Sequence, residues 1–109
     1  MKKGNYIVVF ITAPSKKEAE KIAGGLVDKK LAACVNIVPG LKSIYTWKGK
    51  KEKSSEVLLI IKTKRILFKK LTQQVKLLHS YSVAEIISLP IIDGNKDYLN
   101  WIGEVCRKK

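Results

Sequence analysis

Residues 7–11 (Ile-Val-Val-Phe-Ile) and 57–61 (Val-Leu-Leu-Ile-Ile) are apolar at every position. A strand with one face in water alternates apolar and polar residues, because successive side chains point to opposite sides. These two segments do not alternate, so a sheet built from them needs cover on both faces. A chain of 109 residues has room for one domain and one modest core. Its helices can cover one face of a sheet, which leaves the second face to something outside the chain. Another copy, packed sheet against sheet, is the simplest cover, so self-association is expected from the strands alone.

The rest of the pattern supplies the helices. Pro14 followed by Ser15-Lys16-Lys17-Glu18 is a capping-box signature, with Ser15 accepting from the backbone three residues on and Glu18 reaching back. Ala19, Ile22, Ala23, Leu26 and Val27 then share one helical face, and Gly24-Gly25 predicts close packing on the sheet. Cys34 to Val38 reads as a second strand, and Leu41 to Trp47 extends or returns it past Pro39-Gly40. Lys48-Gly49-Lys50 and the charged residues behind it read as an exposed turn before a third strand, Ser55 to Thr63. Phe68, Leu71, Val75 and Leu78 recur at spacings of three and four, a second amphipathic helix. Val83 to Pro90 reads as a fourth strand. Asn95 caps a C-terminal helix with Tyr98, Trp101, Ile102 and Val105 on one face, and Arg107, Lys108 and Lys109 lie at its negative end. The order is βαββαβ plus a helix. It predicts an α+β, ferredoxin-like domain spanning 1–109, with a long β-hairpin and a C-terminal helix.

Net charge is +13, from 22 basic and nine acidic residues. The lysines are dispersed along the chain, which makes a solvated surface a better reading than a nucleic-acid footprint. The two cysteines, Cys34 and Cys106, have no metal-type spacing and no partner pattern of a disulfide framework. Reduced thiols in a cytoplasmic protein are expected. The start, Met1-Lys2-Lys3-Gly4-Asn5, leads into a short apolar strand and lacks the long apolar region of a signal peptide. No apolar run approaches a membrane span.

The stretch Leu31-Ala32-Ala33-Cys34-Val35-Asn36-Ile37-Val38-Pro39-Gly40, followed by Ser43-Ile44-Tyr45 and Trp47, resembles the CutA family of divalent-cation tolerance proteins. The likeness continues through Thr12-Ala13-Pro14, Leu59-Ile60-Ile61-Lys62-Thr63, His79-x-Tyr81, Ala84-Glu85-Ile86-Ile87-x-Leu89-Pro90 and Gly94-Asn95-x-x-Tyr98-Leu99-x-Trp101. These blocks stand in the family's order over nearly the whole chain. The resemblance implies a homotrimer built around its sheets, and binding of metal ions, chiefly copper, through the histidine matched by His79. Ile11 and Leu78 stand where some members carry a cysteine and a second histidine. Ser80 and Ser82 replace residues common around the family's tyrosine. Copper binding is therefore expected to be weak, and no cofactor is required.

Two groups of side chains are candidates for chemistry. His79, the only histidine, and Cys34, a soft thiolate donor, are the metal candidates. Against this, His79 suits a helix C-terminus and Cys34 lies in an apolar strand where a thiol packs. Tyr45, Trp47, Lys62, Tyr81 and Glu85 form the second group, since aromatic faces, a cation and a carboxylate suit a small polar pocket. Tyr45 and Trp47, two apart on a strand, share a face and could equally pack on a neighbouring subunit. No phosphate-binding glycine loop, acid/base carboxylate pair or Ser/His/Asp arrangement is present, so enzyme activity is not expected. Three functions stay open: a metal-tolerance trimer, a PII-like sensor holding a small anionic ligand in intersubunit clefts near Lys62, Tyr81 and Glu85, and a basic RNA-binding module. The third is the weakest, because the aromatics lie among runs that read as buried.

Overall fold

The computed structural model describes residues 5–106. Its elements are β1 (Tyr6–Ala13), α1 (Lys16–Asp28), β2 (Cys34–Trp47), β3 (Lys50–Lys64), α2 (Phe68–Leu78), β4 (Ile86–Pro90) and α3 (Lys96–Val105), with a short 3-10 turn at Arg65–Leu67. The order matches the expected βαββαβ plus helix. One antiparallel sheet runs β2-β3-β1-β4. The residues expected at the negative end of α3, Arg107, Lys108 and Lys109, lie outside the described residues.

Alternation within the all-apolar strands divides them between two environments. Ile7, Val9 and Ile11 of β1 and Leu59 and Ile61 of β3 point to one face and are buried. Ala19, Ile22 and Leu26 of α1 and Leu71 and Val75 of α2 join them in the same core. Val8, Phe10, Leu58 and Ile60 point the other way and are only half-buried. Register places Val38, Ile87 and Leu89 on that second face, where they are 42%, 50% and 44% exposed. So one chain covers one face, as the composition of the strands requires.

Ser15 caps α1, its hydroxyl accepting from the Glu18 N–H at 3.2 Å. The expected return bond is not made, because the Glu18 carboxylate is used elsewhere. Gly25 packs against α2, not the sheet: a Cβ there would sit 2.8 Å from Leu78 Cδ1, while one at Gly24 would meet nothing within 4 Å. Val27, expected on the buried face, is 44% exposed.

The second and third strands are longer than the sequence pattern indicates. Cys34 to Trp47 is a single strand, with an irregularity between Val38 and Leu41 where Gly40 takes a φ of +83°. That extra residue shifts the alternation, so odd-numbered Tyr45 and Trp47 share a face with even-numbered Asn36 and Val38. The charged residues 50–53 lie in β3, and the turn is only Lys48-Gly49, both at positive φ. A two-residue hairpin loop with both φ positive matches the twist of its strands. The hairpin gives the molecule extents of 44 × 25 × 22 Å. β4 begins at Ile86, three residues later than expected, because residues 80–85 are drawn away to form the wall of a cleft.

Candidate functional site at the root of the hairpin

The C-terminus of α2 meets the end of β1 at His79. Its side chain is fully buried, and Nε2 lies 2.7 Å from the Thr12 carbonyl. A carbonyl only accepts, so Nε2 carries the proton and donates. Nδ1 accepts from the Tyr81 N–H at 3.0 Å and lies 3.3 Å from Glu18 Oε2. The same carboxylate oxygen accepts from the Ser80 N–H at 2.9 Å and the Ser80 hydroxyl at 3.0 Å. The first turn of α1 therefore pins the segment that follows α2.

Tyr81 carries the network onward. Its ring lies 4.8 Å from that of His79, and its hydroxyl donates to Glu56 Oε2 at 2.8 Å. Burial, then the bond to Glu56 and that carboxylate's charge, push the Tyr81 phenol well above its ordinary value. Glu56 is itself only 7% exposed.

These residues border a cavity of about 710 Å³ between the hairpin and residues 80–85. Tyr45, Trp47, Tyr81 and Glu85 line it, so four of the five residues expected to form a pocket converge. Tyr45 is held by a 2.7 Å bond between its hydroxyl and that of Ser54. Lys62 is the exception. It pairs with Val8 and Cys34 in the sheet, its ammonium donates to Asn36 Oδ1, and it does not line the cavity. Within the one chain, the lining carboxylates Glu56 and Glu85 have no lysine or arginine among them. Sequence reading missed Glu56, whose signal was a carboxylate directly ahead of an apolar run in a strand.

The two metal candidates are not neighbours. Cys34 lies level with Val8 through Lys62, whereas His79 is bonded to Thr12, four residues further along β1. At about 3.3 Å per residue the separation is roughly 13 Å, too far for one ion to touch both within a chain. Both ring nitrogens of His79 already have partners. Cys34 faces the Tyr98 phenol, which burial and then that thiol hold above its usual value. Among the described residues no group of three or more His, Cys, Asp and Glu could hold a metal ion. Cys106 is buried beside Thr63, whose hydroxyl lies 3.7 Å from its sulfur; burial pushes that thiol up, partly offset by Thr63 and Lys64. Among the described residues no helix is long and apolar enough to cross a membrane.

Comparison with known proteins places this geometry in a family. The family model described as CutA1 divalent ion tolerance protein matches residues 7–105. The divalent-cation tolerance protein CutA of Thermus thermophilus is 54% identical over 97 residues, covering 89% of this chain and 94% of that protein. The chloroplastic CutA 1 of Oryza sativa is 49% identical over 94% of this chain, which spans 58% of that longer relative. The crystal structure of CutA1 from Oryza sativa superposes with a TM-score of 0.92 at 48% identity, covering 95% of both chains. A structure named as the periplasmic CutA of Archaeoglobus fulgidus gives 0.91 at 45% identity, covering 94% of this chain and 99% of that one. The sheet, the hairpin, the order of sequence blocks and these matches agree, and the chain belongs to the CutA1 family of divalent-ion tolerance proteins.

Proposed function

We propose that this chain acts in divalent-cation tolerance as a non-enzymatic homotrimer that binds copper or a similar ion weakly. The observation that carries the assembly is the uncovered sheet face, with Val38, Ile87 and Leu89 exposed beside Val8, Phe10, Leu58 and Ile60. Contiguous apolar surface of this kind is the mark of an interface. Weak metal binding follows from His79, whose ring would have to give up the Tyr81 N–H or the Thr12 carbonyl before an ion could enter. The same engagement supports a non-enzymatic role, because the only histidine is committed to the fold. Two free thiols suit a reducing compartment and support a cytoplasmic location.

Isothermal titration with Cu(II) of the wild type, His79→Ala and Cys34→Ser tests the metal reading. Weak heats that vanish in His79→Ala are expected. Copper binding that survives in His79→Ala and is lost in Cys34→Ser would assign the site to the thiol.

The cavity at the hairpin root favours a second reading, that the trimer senses a small-molecule effector. About 710 Å³ lies within the usual range for ligand sites. The kinship with effector-sensing trimers is one of fold alone.

A further inference from the structure

The cavity carries a charge opposite to that of the molecule around it. The chain has 22 basic residues and nine acidic ones, yet Glu56 and Glu85 line this space, which opens on the sheet face that carries Val38, and no lysine or arginine of the same chain does. Glu56 is 7% exposed and, among the described residues, forms no ion pair; the Tyr81 hydroxyl at 2.8 Å is its donor. A carboxylate accepts at about four positions, so one neutral donor leaves it capacity for a positive partner.

The walls point to the same class of ligand. Tyr45, Trp47 and Tyr81 bring three aromatic rings to the cavity, with Ile44 beside them. The negative face of an aromatic ring attracts a cation. Trp47 already has one over its ring, the Lys48 ammonium 5.9 Å from the centroid. A bare Ca2+ or Mg2+ is a poor occupant, since it needs about six oxygens close together, and among the described residues no group of three or more His, Cys, Asp and Glu could hold a metal ion.

We propose that this cavity binds a small organic ammonium ion with an apolar or aromatic body. The charged end lies on Glu56 and Glu85, and the body lies against Tyr45, Trp47 and Ile44. The assignment rests on the effector reading above and names the chemistry of the effector.

Isothermal titration of the assembled protein with phenethylammonium, phenethyl alcohol and phenylacetate, at fixed ionic strength, tests it. The three probes share a body and differ in charge. The ammonium binds at least tenfold more tightly than the alcohol, and the carboxylate more weakly still. Glu56→Gln and Trp47→Ala each weaken the ammonium at least tenfold. Glu85→Gln, at an exposed position that leaves the core intact, weakens it several-fold even should Glu56→Gln disturb folding. Equal binding of the alcohol or tighter binding of phenylacetate would overturn the charge assignment and leave the effector reading standing. Heats from none of the three would overturn both.

Discussion

Glu18 spends one carboxylate oxygen on two donors of the segment after α2, the Ser80 N–H and the Ser80 hydroxyl. Hydrogen bonds to a charged acceptor are stronger than neutral ones. Glu18→Ala is expected to lower stability by about 2 kcal/mol, from the range for such bonds. It should also raise amide exchange at residues 80–83 while leaving the centre of β1 protected. Urea unfolding and hydrogen exchange check both parts. Tyr81 and Tyr98 give a second prediction at this scale. Both phenols are held above their usual value, so the unfolded chain releases these protons first as pH rises past about 10. The stability they contribute is present below that pH and lost as it climbs further. Tyrosine absorbance should show Tyr81 and Tyr98 titrating late, and Tyr81→Phe should remove part of the alkaline loss.

Within α1 the two adjacent glycines are not equivalent. Gly24 faces open space, so Gly24→Ala should stabilise the helix by about 0.5–1 kcal/mol. Gly25→Ala gains the same backbone benefit but must move the tip of Leu78, so its net effect is smaller. Paired thermal melts separate the two. The elements themselves were largely legible because capping, periodicity and turn residues agreed. Ser15 and Asn95 cap α1 and α3 as their side chains suggest. What escaped was set by distant partners. Residues 50–53 read as turn because their side chains are charged, yet pairing with Ile44 to Trp47 makes them strand. Tyr45, Trp47, Tyr81 and Glu85 were legible as a group, since aromatic and carboxylate types stand out. Lys62 stands apart from them within the chain, since its neighbours across the sheet are Val8 and Cys34, which nothing local in the sequence shows.

For the whole molecule, light scattering at low micromolar concentration should give three times the 12.3 kDa chain mass. Ile87→Lys with Leu89→Lys puts two charges on the open face and should dissociate the assembly, as desolvating unpaired charge is costly. A monodisperse wild-type monomer would remove the argument from the apolar face. Nucleic-acid binding should be weak, indifferent to sequence and gone at about 0.15 M salt, as expected for dispersed lysines. A gel shift over a salt series checks this.

The sheet order has a further consequence for a chain made from its N-terminus. β1 lies between β3 and β4, with Tyr6 opposite Lys64 and Ile7 opposite Pro90. During synthesis at about 5–20 residues per second, Tyr6 waits roughly 3–12 s for its first partner to be made. The β2–β3 hairpin closes on its own two-residue turn within about 1–10 μs of emerging. The most apolar strand is thus exposed on the ribosome while a preformed template is built for it. The first strand to leave the tunnel is among the last to be placed.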